Sequence, residues 1–516
     1  MDSQAPDRDR RFFLLASAVA ASGAVVALIP SCEQPQGLKR PRNASASQSG
    51  SSSGSSSAAP AANTPTKLSP RAQAEKDAAE AAAAAEAEAK RKQQAPTERP
   101  IPPTSEPAIR IKSGGLPQSE PLAPSSSSQG AKSRVRIEGP GPSIWIIEPD
   151  AGRPGTVAAG PVDFEWTTSG WKVTELAGTR EAATVAVPPY ATLEIMALRN
   201  EPQQLRVYGS DWPGKVRLVL QRDDPREPVD IVHEVPMETY LAGVIAKELF
   251  NGWGVATHRA QTVAARSYAL CEMAMWKGRR HYDVVAGEQS QAWIGTTKHE
   301  RSLNAVAHTR GQVLLFDSRV VPAYYSSCCG GERAAARDAI SGSIMHDIAP
   351  LSVTGSDGRD CCSWAPTYRW KSRVDLATFA RALPAWARNE GYASLLKVDG
   401  VRRVDLLERN AAGRPVRFRI TDAKGASYEV TAERLRWALN ADPRDPALLR
   451  PSKDRVKSAN FEALISGREL VLAGRGHGHG VGMCQYGAEA MSKKGAKEAA
   501  ILSRYYPGAK VVTAYT

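Results

Sequence analysis

The stretch VPMETYLAGVIAKELFNGWG (Val235–Gly254) is where the chain changes its period. Leu241, Val244, Ile245 and Glu248 fall within one narrow arc at a helical spacing of about 3.6 residues per turn. Pro236 is suited to open this helix and Asn251-Gly252 to close it. Glu248 therefore stands on the apolar stripe, while Lys247 points away. Burying an unpaired carboxylate is costly, and the usual relief is a raised pKa, the property a general acid needs at neutral pH. Two other fates fit the same residue: an ion pair with an arginine such as Arg266, or a boundary position from which the carboxylate reaches water.

Downstream, ATHRAQTVAARSYALCEMAMWKG (Ala256–Gly278) predicts a second helix with an alanine-rich packing face. It should lie tight against the first, with Gln261 and Arg266 near enough to project toward a shared cleft. Upstream, from Arg134 to about Val232, short β-rich runs such as VDFEWTT, TLEIMAL and KVRLVLQ alternate with Gly, Pro and Asp, which predicts a small antiparallel β module. RPVRFRITDAKGASYEV (Arg414–Val430) reads as a hairpin between helical segments near Leu376–Asn389 and Ala432–Asn440, and a final helix is expected around Ala488–Tyr505. The fold class is therefore α+β. The folded part is read as residues 134–516, with a β-rich portion over 134–232 and the remainder over 233–516.

The N-terminal part is different. All eleven tryptophans lie after Pro142, so the packed core belongs to the C-terminal part of the 516-residue chain. Residues 33–133 are dominated by Ser, Ala, Pro, Glu and Lys, a composition that predicts a long disordered tether. Residues 1–32 pair Arg10 and Arg11 with an apolar run ending at LIPSC, which predicts a twin-arginine export signal with Cys32 as a candidate lipid-accepting cysteine. Membrane contact is expected only through that signal or lipid anchor, with the folded part in the periplasm or cell envelope. The net charge of +13 is spread along the chain without an aromatic-interleaved basic block, and a nucleic-acid partner is not expected.

Four blocks, taken in order, resemble the SpoIID/LytB family: VPMETYLAGVIAKEL; HRAQTVAARSYAL; AYYSSCCGGE with PLSVTGSDGRDCCSWAPTYRW; and GRGHGHGVGMCQYGAEAMSKKGAKEAAILSRYYPGAKV. The resemblance implies a SpoIID-like catalytic domain behind the β module. It also implies a peptidoglycan lytic transglycosylase that cuts MurNAc–GlcNAc bonds in glycan strands stripped of stem peptides and leaves 1,6-anhydro-MurNAc ends. The family's catalytic glutamate falls on Glu248. Gln261, Arg266, Tyr325, Ser326, His479, Gln485 and Tyr486 are the implied substrate contacts, and catalysis needs no cofactor. His477 stands where the family has tryptophan, and Cys484 where it has serine. Some family members are described as enhancers of a cell-wall amidase, so glycan binding beside a partner amidase is the alternative function. A metal-dependent use of the His-rich block lacks an accompanying carboxylate cluster.

Seven cysteines in a chain read as exported call for an account. Cys271 and Cys484 look isolated. Cys328-Cys329 and Cys361-Cys362 form two adjacent pairs, for which a disulfide across the pairs or a structural zinc are the two expectations, with His346 as an outside ligand candidate. The disulfide is the leading expectation in an oxidising compartment and zinc the runner-up, although twin-arginine export, which follows folding in a reducing cytoplasm, favours zinc somewhat more than usual.

Overall fold

The computed structural model describes residues 98–115, 133–139, 143–147, 156–158, 161–167, 170–175, 192–197, 204–207, 210–220, 229–287, 290–340, 345–352, 361–444 and 450–516. The export signal, Cys32 and the tether as far as residue 97 lie outside them. Among the described residues the architecture is a mixture of helices and mainly antiparallel sheets. No helix there is long and apolar enough to cross a membrane.

The β module is a pair of sheets around one core. A seven-stranded sheet runs, in spatial order, Val284–Val285, Ala108–Gly115, Val229–Pro236, Lys215–Leu220, Leu193–Ala197, Ser143–Ile147 and Thr156–Ala158. A five-stranded sheet contains Ser133–Glu138, Val162–Thr167, Gly170–Glu175, Gln204–Val207 and Ser210–Pro213. Alternate residues such as Val135, Phe164, Ile195 and Leu218 meet in the shared core.

Two boundaries differ from the sequence expectation. Residues 98–115, read as tether, belong to the fold: Ala108–Gly115 pairs antiparallel with Val229–Pro236 and buries Ile109 and Ile111 completely. Covering the edge of Val229–Pro236 satisfies backbone groups that would otherwise be left open. Nor is there a break at residue 232, because that strand continues to Pro236 and passes directly into a helix.

That helix, α1 (Met237–Glu248), buries Met237, Tyr240, Leu241, Val244 and Ile245. Pro236 precedes it, as expected, but it stops at Glu248 rather than at Asn251-Gly252. Gly243 is required by packing, since a Cβ there would sit 2.2 Å from the carbonyl oxygen of Gly295. The absent side chain lets the segment carrying Ala292, Trp293 and Gly295 close against the helix. Helix α2 (Val255–Trp276) follows with its alanine face inward: Ala260, Ala264, Ala265 and Ala269 are fully buried. Helix α3 is Glu300–His308.

A further core is formed by α4 (Leu376–Glu390), α5 (Ala432–Asn440) and two three-stranded sheets around Trp386, Phe379, Phe418, Phe461 and Leu435. The expected hairpin is present as Pro415–Thr421 and Ser427–Thr431. The single C-terminal helix of the sequence reading is two helices, α6 (Gln485–Lys493) and α7 (Glu498–Tyr505). Gly495 lies between them at φ +87°, a left-handed position that ends the first.

Candidate active site

Glu248 closes α1, so its half-buried side chain leaves the helix where three chain segments meet. Its Oε1 accepts a hydrogen bond from the Ala292 backbone N–H at 3.0 Å, and its Oε2 accepts one from the Gln485 side-chain amide at 3.1 Å. Gln485 is brought there by local pairing. Tyr325-Ser326 runs parallel to Met483-Cys484, and the chain turns into α6 immediately afterwards.

The segment bearing Ala292 is held by a chain of side chains. Tyr240 of α1 donates its hydroxyl to Gln291 Oε1 at 2.9 Å, and Gln291 Nε2 donates to the Tyr325 hydroxyl at 2.9 Å. Burial, with the Glu248 charge as a further contribution, holds both phenols well above their ordinary pKa. They are therefore neutral hydrogen-bonding groups at any physiological pH. Tyr325 thus reaches the site, as a support for the Ala292 segment. Ser326 is buried, and its hydroxyl has no hydrogen-bond partner among the described residues.

Aromatic rings gather where α1 ends. Tyr486 lies edge-on to Trp253 at 5.0 Å and tilted against Trp364 at 4.6 Å, with Phe250 beside Trp253 at 5.3 Å. Phe250, two residues after Glu248, is 61% exposed, and Trp364 is 44% exposed with Lys493 Nζ over its ring at 4.3 Å, so aromatic surface reaches solvent near the carboxylate. Exposed aromatic rings with a polar neighbour are suited to stacking on amphipathic ligands. Phe250, Trp253 and Trp364 were not singled out in the sequence, although Phe250 and Trp253 follow Glu248 in the same quoted stretch.

His479 is placed by Tyr324, edge-on at 5.7 Å, and by the Val481 N–H, which donates to its Nδ1 at 3.0 Å. The proton of the neutral ring is therefore on Nε2. Burial pushes its pKa down to about 4, so it serves as an uncharged donor. His477 is exposed, and its backbone exchanges hydrogen bonds with Cys328.

Two expected contacts are corrected. Arg266 is fully buried away from solvent: its guanidinium donates to both Glu238 oxygens, at 2.9 and 2.5 Å, and to the Gln312 carbonyl. A charge on the inner face of α2 needs such a partner, so Arg266 pairs with Glu238, not with Glu248 or a ligand. Gln261 is likewise fully buried rather than lining an open cleft, and its amide has no hydrogen-bond partner among the described residues.

The thiols also regroup. Cys328, Cys362 and Cys484 are buried with their sulfurs within 4.8 Å of one another, and Cys329 Sγ is 3.7 Å from Cys362 Sγ. Cys484, read as isolated, belongs to the group, whereas half-buried Cys361 does not. No disulfide joins the described cysteines. His346 instead meets the Tyr324 hydroxyl at 2.9 Å.

An α+β protein with a single helix-end carboxylate gripped by a backbone N–H and a glutamine amide, beside exposed rings, is the class defined by these features. Residues 226–316 match the SpoIID family, described as stage II sporulation protein, and residues 352–482 match a domain of unknown function, DUF8618. The chain is 25% identical to stage II sporulation protein D of Bacillus subtilis over 54% of its own length and 75% of that protein. It is 27% identical to an uncharacterised protein of Brachyspira hyodysenteriae, covering 55% of this chain and 68% of that one. The amidase enhancer of Bacillus subtilis is 24% identical over 52% of this chain, which spans 39% of that protein. The match over residues 226–316, together with these relatives, makes the chain similar to the SpoIID/LytB family.

Proposed function

We propose that this protein is a peptidoglycan lytic transglycosylase in which Glu248 is the catalytic acid and base. The observation that carries the reading is the grip on Glu248: donors on both oxygens, from Ala292 and Gln485, fix the carboxyl group beside a solvent-facing aromatic cluster. A glycosidase that uses water or an enzyme nucleophile normally needs two carboxyl groups. A lytic transglycosylase draws its nucleophile from the substrate. Glu248 protonates the oxygen leaving the anomeric carbon of MurNAc, then takes the proton of the MurNAc 6-hydroxyl as that oxygen closes the 1,6-anhydro ring. The C1–O bond to GlcNAc breaks, the C1–O6 bond forms, the first proton leaves on the GlcNAc hydroxyl, and Glu248 is reprotonated by the proton of the 6-hydroxyl. Intramolecular attack supplies proximity that a bound water would have to be given. Trp364 and Tyr486 stack on the sugar faces. The reaction places the protein at the envelope, with glycan strands freed of stem peptides as substrate.

Denuded glycan strands incubated in ¹⁸O-labelled water test the reading. The expected products are unlabelled 1,6-anhydro ends, reduced at least roughly 10²–10⁴-fold in Glu248→Gln, which keeps the shape but cannot deliver a proton. Labelled reducing ends would mean hydrolysis and overturn the mechanism.

A second reading draws on the relative named amidase enhancer and on the exposed His477. In it the same surface around Glu248 binds glycan without cutting and stimulates an amidase. Intact strands together with an accelerated amidase would favour it.

A further inference from the structure

Three buried cysteine sulfurs, of Cys328, Cys362 and Cys484, meet near the start of α6, and a fourth, that of Cys329, touches the Cys362 sulfur at 3.7 Å. Cys328 and Cys329 follow the Tyr325-Ser326 strand, Cys362 lies in the turn before Arg369–Asp375, and Cys484 ends the Met483-Cys484 strand. Such a convergence is not dictated by the packing of small apolar groups, for which Ala or Val would serve. A tetrahedral zinc with Zn–S bonds of about 2.3 Å sets its ligand sulfurs roughly 3.8 Å apart. Cys329 and Cys362 are at 3.7 Å, and the Cys328, Cys362 and Cys484 sulfurs all lie within 4.8 Å. The Cys328, Cys362 and Cys484 sulfurs would close on an ion by a modest contraction, and a shift of the Cys329 side chain, already against Cys362, would supply the fourth ligand.

Cys484 Sγ faces the Ser327 carbonyl and Cys328 Sγ the Cys362 carbonyl, contacts suited to protonated thiols, but donors are also in place for a metal-bound sulfur. The backbone N–H groups of Cys329 and Gly487 both point at Cys484 Sγ, at 3.4 Å each. Donors of this kind orient a metal-bound sulfur and offset its charge. Gly487 leaves room for this, since a Cβ there would strike the Tyr505 hydroxyl at 2.1 Å. Four soft sulfurs select zinc over hard cations, and full burial with no open position marks a structural rather than a catalytic metal.

We propose that Cys328, Cys329, Cys362 and Cys484 together hold a structural zinc ion that fixes the start of α6, and with it Gln485, against Glu248. The link is covalent and short. Cys484 caps α6 through its sulfur, and the next residue donates to Glu248 Oε2. Cys484, which the sequence resemblance marks as a departure from the family serine, thereby becomes a ligand. The ion also ties the Cys362 segment to the Cys328 segment without a disulfide.

The test is metal content, which does not depend on any enzymatic activity. Full-length protein purified without added metal is analysed by plasma mass spectrometry. In parallel, its thiols are titrated with a mercurial while a zinc indicator records release. One zinc per chain is expected, released as the four sulfurs are consumed, and retained in Cys361→Ser. Cys484→Ser and Cys362→Ser should lose it. The cobalt-substituted protein should carry the strong visible bands of a tetrahedral thiolate site, a readout on the intact wild-type chain should those variants fail to fold. Native protein with four free thiols and no metal would overturn the proposal. So would an intact mass lowered by a disulfide among these four, or unchanged zinc in Cys484→Ser.

Discussion

Gln485 donates its side-chain amide to Glu248 Oε2 at 3.1 Å across a sequence separation of 237 residues. The glutamine opens α6 and the glutamate closes α1, so each side chain projects from a helix end into the space between. Two rigid elements thereby set the direction of the carboxyl group, and a change at position 485 should be felt as a change in proton affinity.

Gln485→Glu would put a second carboxylate where a neutral donor now stands. Two like charges about 3 Å apart cannot both ionise easily, so the pair's apparent pKa rises. In the proposed mechanism the first step needs the protonated acid, and the limb on which activity falls with rising pH should move to higher pH. A pH–rate profile of glycan cleavage checks this. A uniformly reduced profile with an unmoved limb would make Gln485 a packing residue only.

Trp364→Ala should weaken glycan binding more than it slows the chemical step. The ring is 44% exposed, so its loss costs the fold little, while a lost stacking face is worth about 0.5–1.5 kcal/mol. KM should rise roughly 2–10-fold with kcat nearly unchanged, and Trp364→Phe should restore part of the loss. Equal falls in kcat and kcat/KM would instead give the ring a role confined to the transition state.

What could be read from the sequence follows physical lines. Glu248 was legible because a helical period places side chains predictably over one or two turns, and a family block covers the same residues. Ala292 was not, because a backbone N–H has no residue type to announce it. Arg266 was misplaced for a related reason: the helical wheel gives its face, but not that Glu238, Tyr515 and the Gly311 N–H converge behind α2. Cys484 looked isolated because the nearest cysteine in sequence is Cys362, far along the chain, and only the strand pairing of residues 325–326 with 483–484 closes the gap. The strand Ala108–Gly115 carried a signal, alternating Ile109 and Ile111, that proline-rich flanks concealed.

Arg266→Met should unfold the protein rather than impair its cleft. The Glu238–Arg266 pair is almost completely buried, and removing one partner leaves an uncompensated charge at a cost of about 3–5 kcal/mol. Adding Glu238→Gln should recover part of that stability, since the stranded charge is then gone. Denaturant midpoints of the two singles and the double measure the coupling. If Arg266→Met were as stable as the wild type but failed to bind glycan, the arginine would belong to the cleft after all.

The last prediction concerns acid. His233 is completely buried, with its ring stacked on Trp212 at 4.8 Å and edge-on to Trp293 at 5.6 Å. Neither ring nitrogen has a hydrogen-bond partner among the described residues, and burial pushes the pKa down to about 3. In the unfolded chain the same imidazole titrates near its ordinary value of about 6.5. Between those values the unfolded state binds a proton that the folded state refuses. The stability from keeping His233 neutral is therefore fully present above about pH 6.5 and is lost as pH falls toward 3, at about 1.4 kcal/mol per pH unit. His346 and His479, each pushed down to about 4 by burial, add to the same trend. Trp293 adjoins Ala292, so charging His233 would disturb the donor to Glu248 as well as the core. Thermal midpoints measured from pH 7 to 4.5 should fall more steeply for the wild type than for His233→Phe, which keeps a flat ring and has nothing to protonate. Parallel slopes would show that His233 takes no part in the acid response.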